Sequence, residues 1–122
     1  MAYDNDNIFA KILRGELPCK KVFENDHALA FEDIHPQAPL HILVIPKGPY
    51  VSMDDFSAKA EDVEVIDFFR AVGQVARDAG VVNKGYRFLA NHGHDGRQEV
   101  PHFHVHVLGG RDLGGMVRQS AN

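Results

Sequence analysis

The sequence has little of several features that would place a protein in a particular class. It contains one cysteine, Cys19, so an internal disulfide is excluded and a reducing compartment is expected. It has no apolar run that approaches the ~20 residues a helix needs to cross a bilayer. Its 13 basic and 17 acidic residues leave a net charge of −4, with no basic run typical of a nucleic-acid surface. We therefore expect neither nucleic acid nor membrane as a partner.

The start of the chain and its overall composition indicate a small intracellular domain. Residues 1–6 are mostly acidic and polar, unlike a signal peptide, so we expect a cytoplasmic protein. A length of 122 residues, with 44% hydrophobic residues, suits one domain with one core. Because no repeat, linker or low-complexity segment divides the chain, we predict a single domain over residues 1–122, with residues 110–122 as a C-terminal tail.

The most informative stretch is His102-Phe103-His104-Val105-His106-Val107-Leu108-Gly109-Gly110, where three histidines alternate with apolar residues. Alternation is the period of a β-strand, so it predicts histidines on one face and apolar side chains on a core. Successive residues on one face lie about 6.6 Å apart, which separates His102 from His106 by roughly 13 Å. All three histidines therefore cannot bind one metal ion.

Three interpretations of this histidine row stay open. One pair could bind zinc with ligands from elsewhere, although the sole thiol, Cys19, is far away in sequence. The row could act on a phosphoryl group, because neutral imidazole is a nucleophile near pH 7 and imidazolium complements anionic oxygens. It could also be the polar face of an exposed strand.

Periodicity and turn residues predict two helices and five strands. The helices are expected over residues 7–14 and 58–79, and the strands over residues 20–24, 28–33, 40–45, 85–91 and 100–108. Asp6 or Asn5 would cap the first helix, residues 47–57 would form a loop, and His27 would face solvent. The third strand is apolar on both faces and is expected inside the sheet. Short connections favour antiparallel pairing, so we predict an α+β fold.

Two blocks of the sequence resemble the histidine triad (HIT) family. The histidine row fits its His-x-His-x-His pattern, and an earlier block comprises Phe31-Glu32-Asp33-Ile34 and Pro36-Gln37-Ala38-Pro39-Leu40-His41. Asn91 and the run Gly96-Arg97-Gln98-Glu99-Val100 resemble the Hint branch, the purine nucleoside phosphoramidases. The resemblance implies a five-stranded antiparallel sheet with two helices, and a homodimer with a continuous ten-stranded sheet.

The resemblance also implies a reaction and a role for each site residue. It implies hydrolysis of the P–N bond of AMP-type or GMP-type phosphoramidates through a nucleotidyl-histidine intermediate, without cofactor or metal. His104 would be the nucleophile, His102 and His41 would orient its ring, and His106 would face the phosphate and leaving group. Asp33 would bind the ribose hydroxyls. The other expected contacts are Ile8, Phe9, Ile12, Phe31 and Ile34 around the base, Asn91, Gln98 and the backbone of Val100 near the phosphate, and Glu99 near the leaving amine.

Two alternative functions and three departures from the family pattern remain. The alternatives are a dinucleoside polyphosphate hydrolase of the same family and a nucleotide-binding scaffold that acts through a protein partner. Arg97 stands where this branch often has glycine, Pro101 where an aromatic residue is common, and Glu99 where some relatives have serine. Arg97 would either add a cation for the phosphate or face solvent. Glu99 would influence which amine is preferred as leaving group.

Overall fold

One antiparallel sheet forms the frame of the structure, which is a computed structural model that describes residues 2–117. The elements in chain order are α1 (Ile8–Leu13), β1 (Lys21–Glu24), β2 (Ala28–Glu32), β3 (Leu40–Pro46), α2 (Met53–Lys59), α3 (Asp62–Asp78), β4 (Arg87–Leu89) and β5 (Val105–Gly109). The strands lie in the order β1-β2-β3-β5-β4. The predicted α+β class and five-stranded antiparallel sheet are confirmed. The last five residues of the predicted C-terminal tail, 118–122, lie outside the described residues.

β3 occupies the centre of the sheet, as its apolar sequence predicts, and both of its faces are covered. Ile42 and Val44 belong to the larger core, which includes buried residues of α3. Leu43 and Ile45 point to the other face and pack in a smaller cluster with Phe9 of α1. His41 lies on the same face of β3 as Leu43, because the two are separated by one residue, and Leu43 is paired with His106 of β5. The face with the smaller cluster therefore carries the histidines.

Residues 2–117 contain three helices rather than the two predicted. Residues 47–57, expected to be a loop, contain the start of α2, where the Ser52 N–H donates to the Asp55 carboxylate at 2.8 Å. The helix predicted over residues 58–79 begins only at Asp62, because the backbone N–H of Glu61 donates to Glu64 at 2.8 Å and starts a new helix. Both starts are capping boxes, which outweigh the continuous apolar spacing. No helix in residues 2–117 is long and apolar enough to cross a membrane.

Several local expectations also need correction. The N-cap of α1 is Asn7, not Asp6 or Asn5, since its Oδ1 accepts the Ala10 N–H at 2.9 Å. His27 does not simply face solvent, because its Nδ1 lies 2.7 Å from the Asp67 carboxylate on α3 and only a third of its side chain is exposed.

The strand predicted over residues 100–108 is wrong for its first half. β5 begins at Val105, so His102 and His104 precede the strand and only His106 lies within it. The segment before β5 does not pair with a strand of the sheet. It is hydrogen-bonded to residues that follow β3, where the Phe103 N–H donates to the Tyr50 carbonyl at 2.8 Å. Pro101, which has no N–H to donate, fits this irregular path. β4 is likewise shorter than the predicted 85–91.

Candidate active site

His104 presents one unprotonated ring nitrogen to the surface of the site. Its Nδ1 lies 2.7 Å from the His102 carbonyl, and because a carbonyl only accepts, Nδ1 carries the proton. Nε2 therefore keeps a free lone pair. Burial lowers the pKa of His104, an effect that the hydrogen bond to His102 and the carboxylates of Asp33 and Glu99 oppose. The ring is neutral at pH 7 and is able to act as a nucleophile.

His102 lies behind the His104 ring rather than beside it. Its side chain is fully buried, so the expected row of three imidazoles on one open face does not form. Nε2 donates to the Pro46 carbonyl at 2.8 Å, and Nδ1 accepts the Tyr3 hydroxyl at 2.5 Å. Burial lowers the pKa of His102 to about 4. His102 orients His104 through its backbone carbonyl while its own ring is held by two distant segments.

His41 and His106 form a hydrogen-bond chain with a defined direction. The Gln37 N–H donates to His41 Nδ1 at 3.0 Å, so the proton of His41 is on Nε2. His41 Nε2 donates to His106 Nδ1 at 2.9 Å. Asp33 Oδ2 also lies 3.3 Å from His41 Nε2. The remaining proton of His106 is therefore on its Nε2. His41 orients His106, whereas the resemblance implied that it would orient His104.

His106 is a neutral hydrogen-bond donor in the resting protein. Burial, with smaller contributions from His104 and His41, lowers its pKa to about 4. The imidazolium considered above for the histidine row is therefore not the resting form of His106 at pH 7. The Nε2–H remains a donor, and His106 lines the same two clefts as His104.

The spacing of the triad excludes one metal ion shared by its three histidines, yet three groups of the site, one of them a triad histidine, converge. Asp33, His41 and His106 each bring one ligand atom to within 4.8 Å of the others. The hydrogen bond from Gln37 opposes a metal ion at this place, because it requires His41 to hold its proton on the very nitrogen that would bind the ion. The three groups fit the hydrogen-bond chain better than a metal centre.

Two clefts meet at the histidines. An apolar cleft of about 560 Å³ lies against α1 and β2 and is lined by Ile8, Phe9, Ile12, Leu17, Pro18, Cys19, Phe31, Glu32, Ile34, Leu43 and Val100. A polar cleft is lined by Gln37, His41, Asn91, Asp95, Gly96, Arg97, Met116 and Val117. Five residues line both clefts: Asp33, His35, Glu99, His104 and His106. A ligand with an apolar part and a charged part would cross this junction, next to the free nitrogen of His104.

A sequence model of the HIT domain matches residues 14–113. The chain belongs to the HIT domain family. It is 65% identical over 115 residues to an uncharacterised HIT-like protein of Azospirillum brasilense, with 94% of each chain covered. It is 41% identical over 112 residues to a purine nucleoside phosphoramidase of Escherichia coli K12, with 92% of this chain and 93% of the relative covered. A solved structure of a HIT family hydrolase from Clostridium thermocellum superposes with a TM-score of 0.86 at 36% identity, covering 94% and 99% of the two chains.

Most of the residues predicted for the site surround the two clefts of this HIT domain. The predicted base contacts, Ile8, Phe9, Ile12, Phe31 and Ile34, all line the apolar cleft, together with Val100. Asn91 lines the polar cleft. Gln98 lines neither, because its amide nitrogen donates to the carbonyls of Val51 at 2.6 Å and Val100 at 3.1 Å. Gln98 therefore supports the loop before the triad rather than the ligand.

Arg97 has a backbone conformation that favours glycine, the residue expected at this position from the resemblance to the family. Its φ is +58°, in the left-handed region that favours glycine. The side chain is exposed, as one of the two expectations for this residue required, and it also lines the polar cleft.

Sequence reasoning missed several lining residues of the HIT domain. Leu43 could have been found, because it lies two residues after His41 on the same face of β3. Leu17, Pro18 and Cys19 follow α1, and Met116 and Val117 belong to the predicted tail, where no periodicity marks them. Tyr3 was also missed, since nothing near it in sequence indicates its bond to His102.

Proposed function

We propose that this protein is a nucleoside phosphoramidase of the Hint branch. It hydrolyses the P–N bond of purine nucleoside phosphoramidates and uses His104 as the nucleophile. The observation that carries the proposal is the lone pair of His104 Nε2 at the junction of an apolar and a polar cleft. The E. coli relative that is named a purine nucleoside phosphoramidase supports this class of substrate.

The two clefts suit the two ends of such a substrate. The aromatic rings and aliphatic side chains of the apolar cleft accommodate a flat purine base. Asp33, at the junction, accepts the ribose hydroxyls, and the polar cleft receives the leaving amine. This placement brings the α-phosphorus to His104.

In the first step, the lone pair of His104 Nε2 attacks the α-phosphorus and the P–N bond to the amine breaks. The electron pair goes to the amine nitrogen, which takes up a proton from solvent as it leaves. The His104 ring becomes cationic as its bond to phosphorus forms, and the hydrogen bond from Nδ1 to the His102 carbonyl strengthens with that charge. His106 stabilises the phosphoryl oxygens or the departing nitrogen through its Nε2–H.

In the second step, water attacks the phosphorus and breaks the bond to His104, which releases the nucleoside monophosphate. The division of one displacement into two through a covalent adduct is nucleophilic catalysis. His41 contributes to both steps, because its donated hydrogen bond keeps the His106 proton on the nitrogen that faces the substrate.

The test compares substrates and one matched pair of variants. The parent protein should hydrolyse AMP and GMP phosphoramidates with higher kcat/KM than diadenosine polyphosphates. His104→Ala should lose nearly all turnover but still bind AMP, while His94→Ala, in an exposed loop, should behave as the parent. Rapid quenching of the parent should find the mass of AMP on the peptide that contains His104.

Either of two results would overturn the proposal. One is preferential hydrolysis of the dinucleotides, which favours the alternative branch of the family. The other is turnover by His104→Ala within tenfold of the parent, a barrier change of only about 1.4 kcal/mol.

The proposal includes a cytoplasmic homodimer made of single-domain subunits. The single cysteine fits a reducing compartment. β4 is an edge strand on which Phe88 is 53% exposed, and pairing with a second copy would cover it. The subunit is one domain over residues 1–122, with residues 110–122 as its tail. Arg87 supports the assignment of the tail to the same domain, because it donates to the carbonyl of Gly114 at 2.9 Å and so holds the described part of the tail against β4.

A further inference from the structure

We infer that Glu99 selects phosphoramidates whose leaving amine carries an additional positive charge. The inference rests on the proposed function and defines the class of its leaving group. Glu99 is exposed and is one of the residues that line both clefts, together with His104 and His106. Its carboxylate therefore lies where the two parts of the substrate join. Within residues 2–117 it forms no hydrogen bond or ion pair.

The charge of the polar cleft determines which substrates the carboxylate of Glu99 favours. Among the described residues, 2–117, three carboxylates line the cleft, those of Asp33, Asp95 and Glu99, against one guanidinium, that of Arg97. Burial lowers the pKa values of His41, His104 and His106, so these rings add no positive charge at pH 7. A phosphoramidate brings a further negative charge on its phosphoryl oxygens. A cleft with this excess of negative charge favours a substrate that also carries a cation.

Glu99 is the carboxylate best placed to bind that cation. Asp33 already accepts the His35 N–H at 2.8 Å and lies close to His41. Asp95 lies 3.1 Å from His94, and both of these side chains are fully exposed. Glu99 combines an unengaged carboxylate with a place beside the nucleophile. A leaving group such as a diamine or a lysine-like amine would place its second ammonium group within reach of Glu99.

The experiment uses three AMP phosphoramidates that differ only in the far end of the leaving amine. The amines are pentylamine, which is neutral, 1,5-diaminopentane, which is cationic, and 5-aminopentanoate, which is anionic. The parent should give kcat/KM in the order cationic, neutral, anionic, with up to about fivefold between neighbours, the upper range for an exposed ion pair. Salt at about 0.5 M should reduce these ratios.

A matched pair of variants assigns the effect to one carboxylate. Glu99→Gln keeps the size of the side chain and should bring the three substrates to within about twofold of one another. Glu16→Gln makes the same change at an exposed carboxylate that lines neither of the two clefts, and it should keep the ratios of the parent.

The outcomes separate this inference from the proposed function. If the parent cleaves all three substrates equally, or if Glu99→Gln keeps the ratios of the parent, Glu99 does not select the leaving group. In that case the proposed function still stands. If the parent cleaves none of the three, the proposed function fails and the role of Glu99 fails with it.

Discussion

Acidification should destabilise this protein through histidines that the fold buries in neutral form. Burial lowers the pKa values of His102 and His106 to about 4, whereas an unfolded histidine titrates near 6.5. Between these values the unfolded chain binds more protons than the folded one. The contribution of these histidines to stability is therefore complete above pH 6.5 and is lost as the pH falls toward 4.

The expected magnitude follows from His102 alone. A pKa that falls from about 6.5 to about 4 on folding makes the free energy of unfolding about 2 kcal/mol smaller at pH 5 than at pH 7. His106 adds to the loss in the same direction. His27 opposes it, because its hydrogen bond to Asp67 raises its pKa, and that contribution is present below pH 6.5 and lost as the pH rises.

Urea unfolding at pH 7, 6 and 5, followed by circular dichroism, measures this loss directly. The parent should lose about 2 kcal/mol or more between pH 7 and pH 5. Asp67→Asn removes the partner of His27 and should make the loss larger. A free energy of unfolding that stays constant or rises on acidification would refute the neutral, buried state of His102.

Three further predictions concern metal, assembly and support of the nucleophile. Prolonged dialysis against a strong chelator should leave turnover unchanged, and loss of activity that only a divalent ion restores would contradict this. Light scattering should find a dimer at micromolar concentration, and Phe88→Glu should shift it toward a monomer; a monomeric parent would refute the interface. Tyr3→Phe removes the donor to buried His102 and should cost about 1–3 kcal/mol of stability. It should also change the ring ¹⁵N shifts of His102, and parent-like shifts would rule out the hydrogen bond.

The sheet could be predicted from sequence because its signals are local. The apolar run of β3 indicates a strand buried on both faces, and the structure places it at the centre of the sheet. The break between α2 and α3 was also readable, since Ser52 and Asp55, and Glu61 and Glu64, are spaced as capping boxes. The helix predicted over residues 58–79 ran across this break, which the cap at Glu61 marks.

The orientation of the histidines could not be predicted in the same way. Alternation places His102, His104 and His106 on one face only if all three belong to a strand, and the strand begins after His104. His102 turns inward because Pro46 and Tyr3 satisfy its two ring nitrogens, and these partners are 56 and 99 residues away in the chain. Similarly, Gln37 determines the tautomer of His41 only after the loop before β3 has folded. The tautomers of His41 and His104 follow from contacts four and two residues away that the alternating pattern does not show, and that of His106 follows from His41, 65 residues away.

Asp33 provides the last and most direct test of how the substrate is held. Its side chain is 18% exposed; one oxygen accepts the His35 N–H at 2.8 Å, and the other lies 3.3 Å from His41 Nε2. An ionised carboxylate has about four acceptor positions, so two remain for two vicinal hydroxyls, which are donors. Hydrogen bonds to a charged group contribute about 1.5–3 kcal/mol, so the loss of both hydroxyls should lower kcat/KM by at least about tenfold.

A four-way comparison of two sugars and two proteins separates ribose binding by Asp33 from general damage to the site. The parent should prefer the ribonucleoside phosphoramidate to its 2′,3′-dideoxy analogue, and Asp33→Ala should hydrolyse both slowly with little preference. Asp33→Asn keeps an acceptor for the His35 N–H and controls for collapse of the loop, while it removes the charge that strengthens the ribose contacts. It should therefore fall between the other two proteins in sugar preference. Equal rates on both sugars in the parent, or an undiminished preference in Asp33→Ala, would show that another group binds the ribose.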